Sequence, residues 1–284
     1  MIDLQPVLSR LLDAEIVGLT PLGGGDVADS YRVALASGSR VFAKTKRGAP
    51  PEFFVTEAAG LAWLRETGAV RLPEVLAVSN DPAVLVLEWI EPGFPDQSTE
   101  ADFGRSLAAM HAAAGSCFGR EDRRSTGSRG LPNEPASTWA DFYADNRLRP
   151  LARLAADANA LPDAAIHRLE VVADHIADLV GPVEPPSRLH GDLWGGNRLI
   201  GSEGVSWLID PAAFGGHREF DLAMMRLFGG FGEECYAAYA EVAPLAADWE
   251  SRIPLHQLAP LVVHSIKFGG PYVPATQRAL ELVR

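Results

Sequence analysis

Leu189-His190-Gly191-Asp192-Leu193-Trp194-Gly195-Gly196-Asn197, followed shortly by Leu208-Ile209-Asp210-Pro211, is the stretch on which the reading of this chain turns. It sets an Asp, an Asn five residues later and a second Asp thirteen residues beyond that, the last closing an apolar run. Phosphoryl transfer calls for such a set: one carboxylate to orient or deprotonate a hydroxyl, and an amide with another carboxylate to hold Mg²⁺ on a triphosphate. Two β-like runs, Arg198–Ile200 and Val205–Ile209, are joined by Gly201-Ser202-Glu203-Gly204. A hairpin there would put Asn197 and Asp210 at its two ends, close in space, as two ligands of one cation require.

Working outward, Lys44 ends the apolar run Val41-Phe42-Ala43. A half-buried ammonium is costly unless an anion receives it. Glu57, on the helix that follows, is the expected partner, and the two resemble the strand lysine and helix glutamate that orient ATP phosphates in kinases. Gly23, Gly24 and Gly25 lie between the first two expected strands, where backbone amides could approach phosphate. The triplet is neither G-x-G-x-x-G nor a Walker motif. Leu87, Glu88 and Ile90 end the last strand of this half and are the expected adenine-binding hinge, the alternative being a plain edge strand. Asp192 is the expected base, and Asn197 and Asp210 the metal ligands. His190 reads as ordering the loop rather than moving protons. In Gly216–Leu222, His217, Arg218, Glu219 and Asp221 are expected to support substrate or loop, Asp221 bracing it from a helix start. His111, His167, His175, His256 and His264 show no metal-ligand spacing and read as packing or surface residues.

The first ninety residues read as α+β: an opening helix from the spacing of Leu4, Val7, Leu8, Leu11 and Leu12, then β-like runs at Ile16–Leu22, Ser30–Leu35, Arg40–Thr45, Val75–Val78 and Val84–Ile90. A helix over Pro51–Thr67 stands between the third and fourth, with Gly68 as its stop. Glu91-Pro92-Gly93-Phe94-Pro95 breaks the pattern. Beyond it the periodicity predicts a helix capped by Thr99 and Asp102, and others over 138–156, 163–180, 219–228, 232–243 and 248–268. Arg120 to Ser137, polar and rich in Gly and Pro, reads as a mobile loop.

The chain has 284 residues and a formal charge of −12, which disfavours nucleic acid and anionic membranes as partners. Cys117 and Cys235, far apart, give no disulfide framework or zinc spacing. The N-terminus carries Arg10, Asp13 and Glu15 where a signal peptide would be apolar, and no run approaches a membrane span. A cytoplasmic protein is expected. No G-x-S-x-G elbow supports serine hydrolysis.

The Asp192, Asn197 and Asp210 spacing follows the H-R-D-x-x-x-x-N and D-F-G elements of protein kinases, with Gly for Arg and Pro for Phe. The chain as a whole resembles the fructosamine (ketosamine) kinases, relatives of aminoglycoside and choline kinases. The resemblance rests on Leu189–Asn197, Ile209–Ala212, Gly215–Met224 and Leu227–Gly230. Glu57–Leu61, Leu107–His111, Phe118-Gly119, Trp139–Tyr143 and His264–Gly269 add to it. It implies a protein-kinase-like two-lobed α+β fold: a nucleotide-binding lobe with a five-stranded antiparallel sheet over 1–90, a hinge over 91–97 and a mainly helical catalytic lobe over 98–284. It further implies ATP and Mg²⁺ as cofactors and O-3 phosphorylation of a ketosamine, whose unstable product releases the amine. Trp194, two residues past Asp192, would lie near the acceptor. Glu121–Ser125 and Leu131–Glu134 depart from the family's usual Asp-Asn, Ile-Gly and Pro-Gln pattern on the side expected to border the acceptor. The alternatives are a kinase for another small amine or sugar, or a non-catalytic kinase-like binding module. The oligomeric state is not legible.

Overall fold

The computed structural model describes residues 3–23, 28–123, 125–126 and 130–283. Helix α1 (Leu4–Leu12) leads into strands β1 (Ile16–Leu22), β2 (Asp29–Leu35) and β3 (Arg40–Thr45). Helix α2 (Phe53–Arg65) and strands β4 (Val75–Asn80) and β5 (Ala83–Glu88) follow. The strands form one antiparallel sheet in the order β1-β2-β3-β5-β4. Strand β5 therefore lies inside the sheet, which overturns the edge-strand alternative. Covered on both faces, it reads as a nearly continuous apolar run. Val84 and Val86 join Leu4, Leu8, Val33 and Val41 beneath α1, whereas Leu85 and Leu87 pack with Leu61 and Leu64 of α2 on the other face. The same two-residue parity sets Lys44, opposite Leu85 in the ladder, on the α2 side with Phe42.

Helix α3 (Thr99–Ala112) begins the second half. The short pair β6 (Ser125–Thr126) and β7 (Leu131–Pro132) comes next, and then α4 (Trp139–Tyr143), which runs through a π turn at Ala144–Leu148 into α5 (Arg149–Asp157). Helix α6 (Asp163–Asp174) precedes four three-residue strands: β8 (Ser187–Leu189), β9 (Arg198–Ile200), β10 (Ser206–Leu208) and β11 (Phe214–Gly216). Helices α7 (Glu219–Phe228), α8 (Glu233–Val242), α9 (Ile253–Phe268) and α10 (Tyr272–Leu282) complete it. β9 pairs with β10 as the expected hairpin, and β8 pairs antiparallel with β11.

Segment 91–97 is fastened to that hairpin. Pro92 bridges Gly201, and Gly93 N donates to Ile200 O at 2.8 Å. A side chain at Gly93 would run into the Gly201 carbonyl. The buried cluster containing Leu61, Leu64, Leu85 and Leu87 continues without a break into Phe103, Leu107, Met110, Leu193, Leu208 and Leu222.

Three expectations change. The start of α3 is capped by Asp96, whose carboxylate accepts the Ser98 and Thr99 amides at 2.8 and 3.0 Å. Thr99 instead turns its hydroxyl to Gly204 O at 2.8 Å, tying the helix to the hairpin turn, and Asp102 pairs with Arg105. The helix expected over 163–180 stops at Asp174, followed by a 3-10 turn at Ile176–Asp178. In the segment read as a loop, Arg120 and Asn133 are buried: Arg120 pairs with Asp122, and Asn133 Oδ1 accepts from Arg147 at 2.8 Å. Both ends of that segment are anchored polar contacts rather than free chain. Helix α10 and strands β8 and β11 had no counterpart in the sequence reading.

Candidate active site

Lys44 is buried and shared between two carboxylates. Its Nζ donates to Glu57 Oε1 at 2.7 Å and also to Asp210 Oδ1. Burial opposes the charge, but the two acids outweigh it and hold the ammonium pKa above its ordinary value. Burial, with Asp210 nearby, pushes the Glu57 carboxyl up, although Lys44 pulls against this. One cation facing two acids is a cluster with a carboxylate to spare. Helix α2, which carries Glu57, is held by cation–π contacts in which the Arg120 and Arg188 guanidiniums lie 4.3 and 4.8 Å from the Trp63 ring centroid. Arg188 also donates to Trp63 O and pairs with Glu66 at 2.9 Å.

Asp210 reaches Lys44 from a backbone at φ 55°. Left-handed geometry is uncommon outside glycine, and Asp is among the few side chains that tolerate it. The backbone continues the hairpin past β10: Ile209 N donates to Asn197 O at 3.0 Å, so Asn197 and Asp210 are brought together at the hairpin's open end. Asn197 Nδ2 donates to the Asp192 backbone oxygen at 2.8 Å and to its Oδ2 at 3.1 Å. That leaves Oδ1 as the amide atom available to a cation. Arg198 anchors the hairpin to α3 through Glu100 at 2.7 Å and to Ser206 Oγ at 2.9 Å.

The loop carrying Asp192 is held by hydrogen bonds from two directions. Asp221, fully buried at the start of α7, accepts the His190 amide on Oδ2 at 2.7 Å and the Gly191 amide on Oδ1 at 2.9 Å. Gly191 has φ 78°, and a side chain there would meet Ala212 O and Phe214. His190 contacts Ile209 O at 2.9 Å through Nε2, while Asp192 N donates to Nδ1 at 3.3 Å. These partners suit a neutral ring protonated on Nε2, and burial pushes the His190 pKa down accordingly. Burial raises the Asp192 carboxyl to about 6; Asn197 works against this, while Asp210 and Asp221 add to it.

Trp194 is 40% exposed and rests over Gly196, its ring 6.3 Å edge-on from Phe228. Phe228 in turn meets His264 at 4.7 Å, and His264 meets Tyr272 at 4.9 Å and Phe268 at 5.5 Å. An aromatic surface thus runs away from the Asp192 loop, built from α7, α9 and α10.

The structure does not bring every expected residue to this centre. His217, Arg218 and Glu219 follow β11 at the Ser187 end of its ladder with β8, roughly 10 Å of strand from the His190 end. Glu219 takes two bonds from Arg252 at 2.8 and 2.7 Å, and although burial opposes it, this pairing holds the carboxyl down to about 2. Burial, with His256 stacked 5.7 Å away, holds His217 down to about 4. Arg218 pairs with Glu184 through two bonds of 2.8 Å. His217, Glu219 and His256 bring ligand-type atoms within 4.8 Å of one another. Arg252 already holds both Glu219 oxygens, however, and the Glu219 amide donates to His217 Nδ1 at 3.3 Å, leaving Nε2 as a donor. The group is an ion-pair cluster that fastens the start of α7, the helix from which Asp221 reaches. Gly24 and Gly25 lie outside the described residues; Gly23 follows β1 with open space around it. Leu87 is a core residue paired with both Phe42 and Val75, Glu88 pairs with Val41, and Ile90 lies beyond the ladder.

His111 is the site-adjacent residue that the sequence reading left aside: its Nε2 lies 3.2 Å from Asp221 Oδ2. Its signal was there to see, because a histidine on the buried stripe with Phe103, Leu107 and Met110 must find polar partners.

The chain matches the fructosamine kinase family over residues 5–283. It is 34% identical over 286 residues to the "Probable ketoamine kinase" of Enterococcus faecium, covering 98% of this chain and 99% of that one. A structure from Thermobifida fusca, described as a candidate fructosamine-3-kinase, is 38% identical with a TM-score of 0.90, covering 99% and 98% of the two chains. A choline kinase from Streptococcus pneumoniae, 17% identical, shares the fold with a TM-score of 0.64 over 99% and 97%. The two-lobed kinase-like α+β fold expected from the sequence is therefore the one found. With the family matched across nearly its whole length, this chain belongs to the fructosamine kinases and is a phosphotransferase with an alcohol group as acceptor.

Proposed function

We propose that the protein transfers the γ-phosphoryl group of ATP to a sugar hydroxyl of a ketosamine, at O-3, in the cytoplasm. The observation that carries this reading is the convergence of Lys44, Asp210, Asn197 and Asp192: Lys44 bonds Asp210, Asn197 bonds Asp192, and the Ile209 amide beside Asp210 bonds Asn197 O. Lys44, fixed by Glu57, is a cation placed to receive phosphate oxygens. Asn197 and Asp210 suit Mg²⁺, which prefers hard oxygen donors and commonly takes one or two carboxylates alongside phosphate and water. The Asp210 side chain is 45% exposed, so it is open to such partners. Asn197 would hold the ion through Oδ1 and Asp210 through its carboxylate; Mg²⁺ bound there would offset charge on the phosphates.

Asp192 orients the acceptor hydroxyl and takes its proton. A carboxylate with a pKa near 6 is mostly ionised at neutral pH yet more basic than an ordinary aspartate. Asn197 donates to its Oδ2, which leaves Oδ1 to receive the acceptor hydroxyl. Trp194 and the aromatic surface behind it offer a flat apolar wall to a sugar chain and the amine substituent, keeping water from the reacting hydroxyl. The residues around the nucleotide would include Gly23, Gly24, Gly25 and the 87–90 segment. Release of the amine from the phosphorylated product would make the reaction a deglycation step.

The test is a comparison of kcat/KM over ribulosamines, fructosamines, aminoglycosides and choline with MgATP as donor. A ketosamine is expected to be preferred. Preference for an aminoglycoside or choline over every ketosamine would refute the acceptor assignment and leave the phosphotransferase chemistry in place.

A further inference from the structure

Asn197 is gripped from both sides along the chain by groups that meet at one carboxylate. Glu100, in the first turn of α3, accepts from Arg198 Nη1 on Oε1 at 2.7 Å and from the Gly232 amide on Oε2 at 2.7 Å. Arg198 follows Asn197 directly and is buried on β9, where its Nε donates to Ser206 Oγ at 2.9 Å. Its guanidinium lies 4.7 and 5.3 Å from the Phe103 and Phe231 ring centroids, and those two rings stack at 5.5 Å. Gly232 closes the turn over 229–232 that joins α7 to α8. That turn seats the other flank of Asn197, because Gly195 N donates to Gly229 O at 3.0 Å. Gly230, at φ 95°, lies so close to Gly195 that a side chain on either would strike the backbone of the other.

We propose that Glu100 is a positioning residue for Asn197. By tying Arg198 to the 229–232 turn it fixes the 195–198 segment, and with it the place of Asn197 Oδ1. This grip is separate from that of Asp221, which holds the His190 and Gly191 amides. The proposal rests on the reading of Asn197 as a Mg²⁺ ligand for its effect on the metal, but not for its effect on the segment. Groups that orient a metal ligand from outside commonly contribute ~10–100-fold to affinity or activity. Loss of Glu100 takes away the carboxylate that faces the buried Arg198 charge and the acceptor of the Gly232 amide, so both flanks of Asn197 loosen together.

The experiment compares wild type with E100A, E100Q, N197A and R105A. It measures the Mg²⁺ concentration for half-maximal turnover and, on metal-free protein, hydrogen exchange of the Gly195 amide relative to that of the core residue Leu85. R105A removes an exposed ion pair with Asp102 on the same helix and should match wild type in both readings. E100A is expected to raise the Mg²⁺ requirement about tenfold, with acceptor KM nearly unchanged, and to speed Gly195 exchange by a similar factor. E100Q keeps an acceptor for the Gly232 amide but not the charge opposite Arg198, so it should fall between wild type and E100A. Unaltered Gly195 exchange in folded E100A would overturn the proposal, as would an equal rise in Mg²⁺ requirement in R105A. A wild-type requirement in E100A, where that of N197A rises, would overturn it too. A wild-type requirement in N197A would instead refute the metal reading of Asn197, and Gly195 exchange would still decide whether Glu100 holds the segment.

Discussion

Asp192 works under a conflict that can be measured. Its folded pKa of about 6 lies above the ordinary aspartate value of ~3.9. The folded protein therefore holds that proton more tightly than the unfolded chain. The associated stability is present at acid pH, fades as pH rises through 6 and is absent at neutrality. Replacing the carboxylate by a neutral isostere removes this penalty, so D192N should have a higher thermal midpoint than wild type at pH 7.5 and no such advantage at pH 4. Equal midpoints at the higher pH would mean that Asp192 is not destabilised by its setting. The same substitution should lower kcat by ~10²–10⁴-fold while MgATP still binds. In wild type, kcat/KM, which reports the free enzyme, should decline on the acid side with a midpoint near pH 6. A flat profile down to pH 5 would assign the proton to another group.

The hairpin of β9 and β10 and helix α2 each deliver a charged or polar group to the side proposed to take the phosphates. The hairpin was legible because its turn residues, Gly201-Ser202-Glu203-Gly204, separate two short apolar runs. What fastens it was less legible. Arg198, Glu100 and Thr99 meet only in three dimensions, and no spacing along the chain announces them. N197A and D210A should each weaken the Mg²⁺ dependence of turnover while remaining folded; wild-type dependence in both would remove them as ligands. For α2, the contacts of Arg120 and Arg188 with Trp63 predict that W63A loosens the helix bearing Glu57. Because cation–π contacts contribute ~0.5–2 kcal/mol, KM for MgATP should rise from a few-fold to about tenfold, with little change in acceptor KM. An unchanged nucleotide KM would show that Glu57 is held without these cation–π contacts.

At the scale of the molecule, most long periodic elements were legible, α10 excepted, and of the three-residue strands only the β9–β10 hairpin was. Strands β1 to β5, α2 and α7 follow from alternation or helical spacing over six residues or more. Three-residue strands such as β8 and β11 carry no period to read. They exist because Leu189 and Phe214 are buried in a tertiary core and the backbone between them pairs. The candidate site divides in the same way. Lys44, Glu57, Asp192, Asn197 and Asp210 are signalled by type and order, whereas the inward role of Asp221 depends on His111, 110 positions away. The sequence reading set Asp221 to brace the loop from a helix start; what it lacked is that packing turns Glu219, two residues earlier on α7, away to Arg252.

The buried cluster that joins Leu61 and Leu85 to Leu107 and Leu208 runs without a break from the five-stranded sheet to the hairpin of β9 and β10. The most direct test of the account is single-turnover mass spectrometry with isotope-labelled γ-phosphoryl ATP, Mg²⁺ and a ketosamine, for wild type and D192N. The account predicts that wild type places the label on the sugar of the ketosamine and then frees the amine, and that D192N forms far less of this product from the same bound nucleotide. Label recovered as inorganic phosphate with the ketosamine intact, or equal product from D192N, would contradict it.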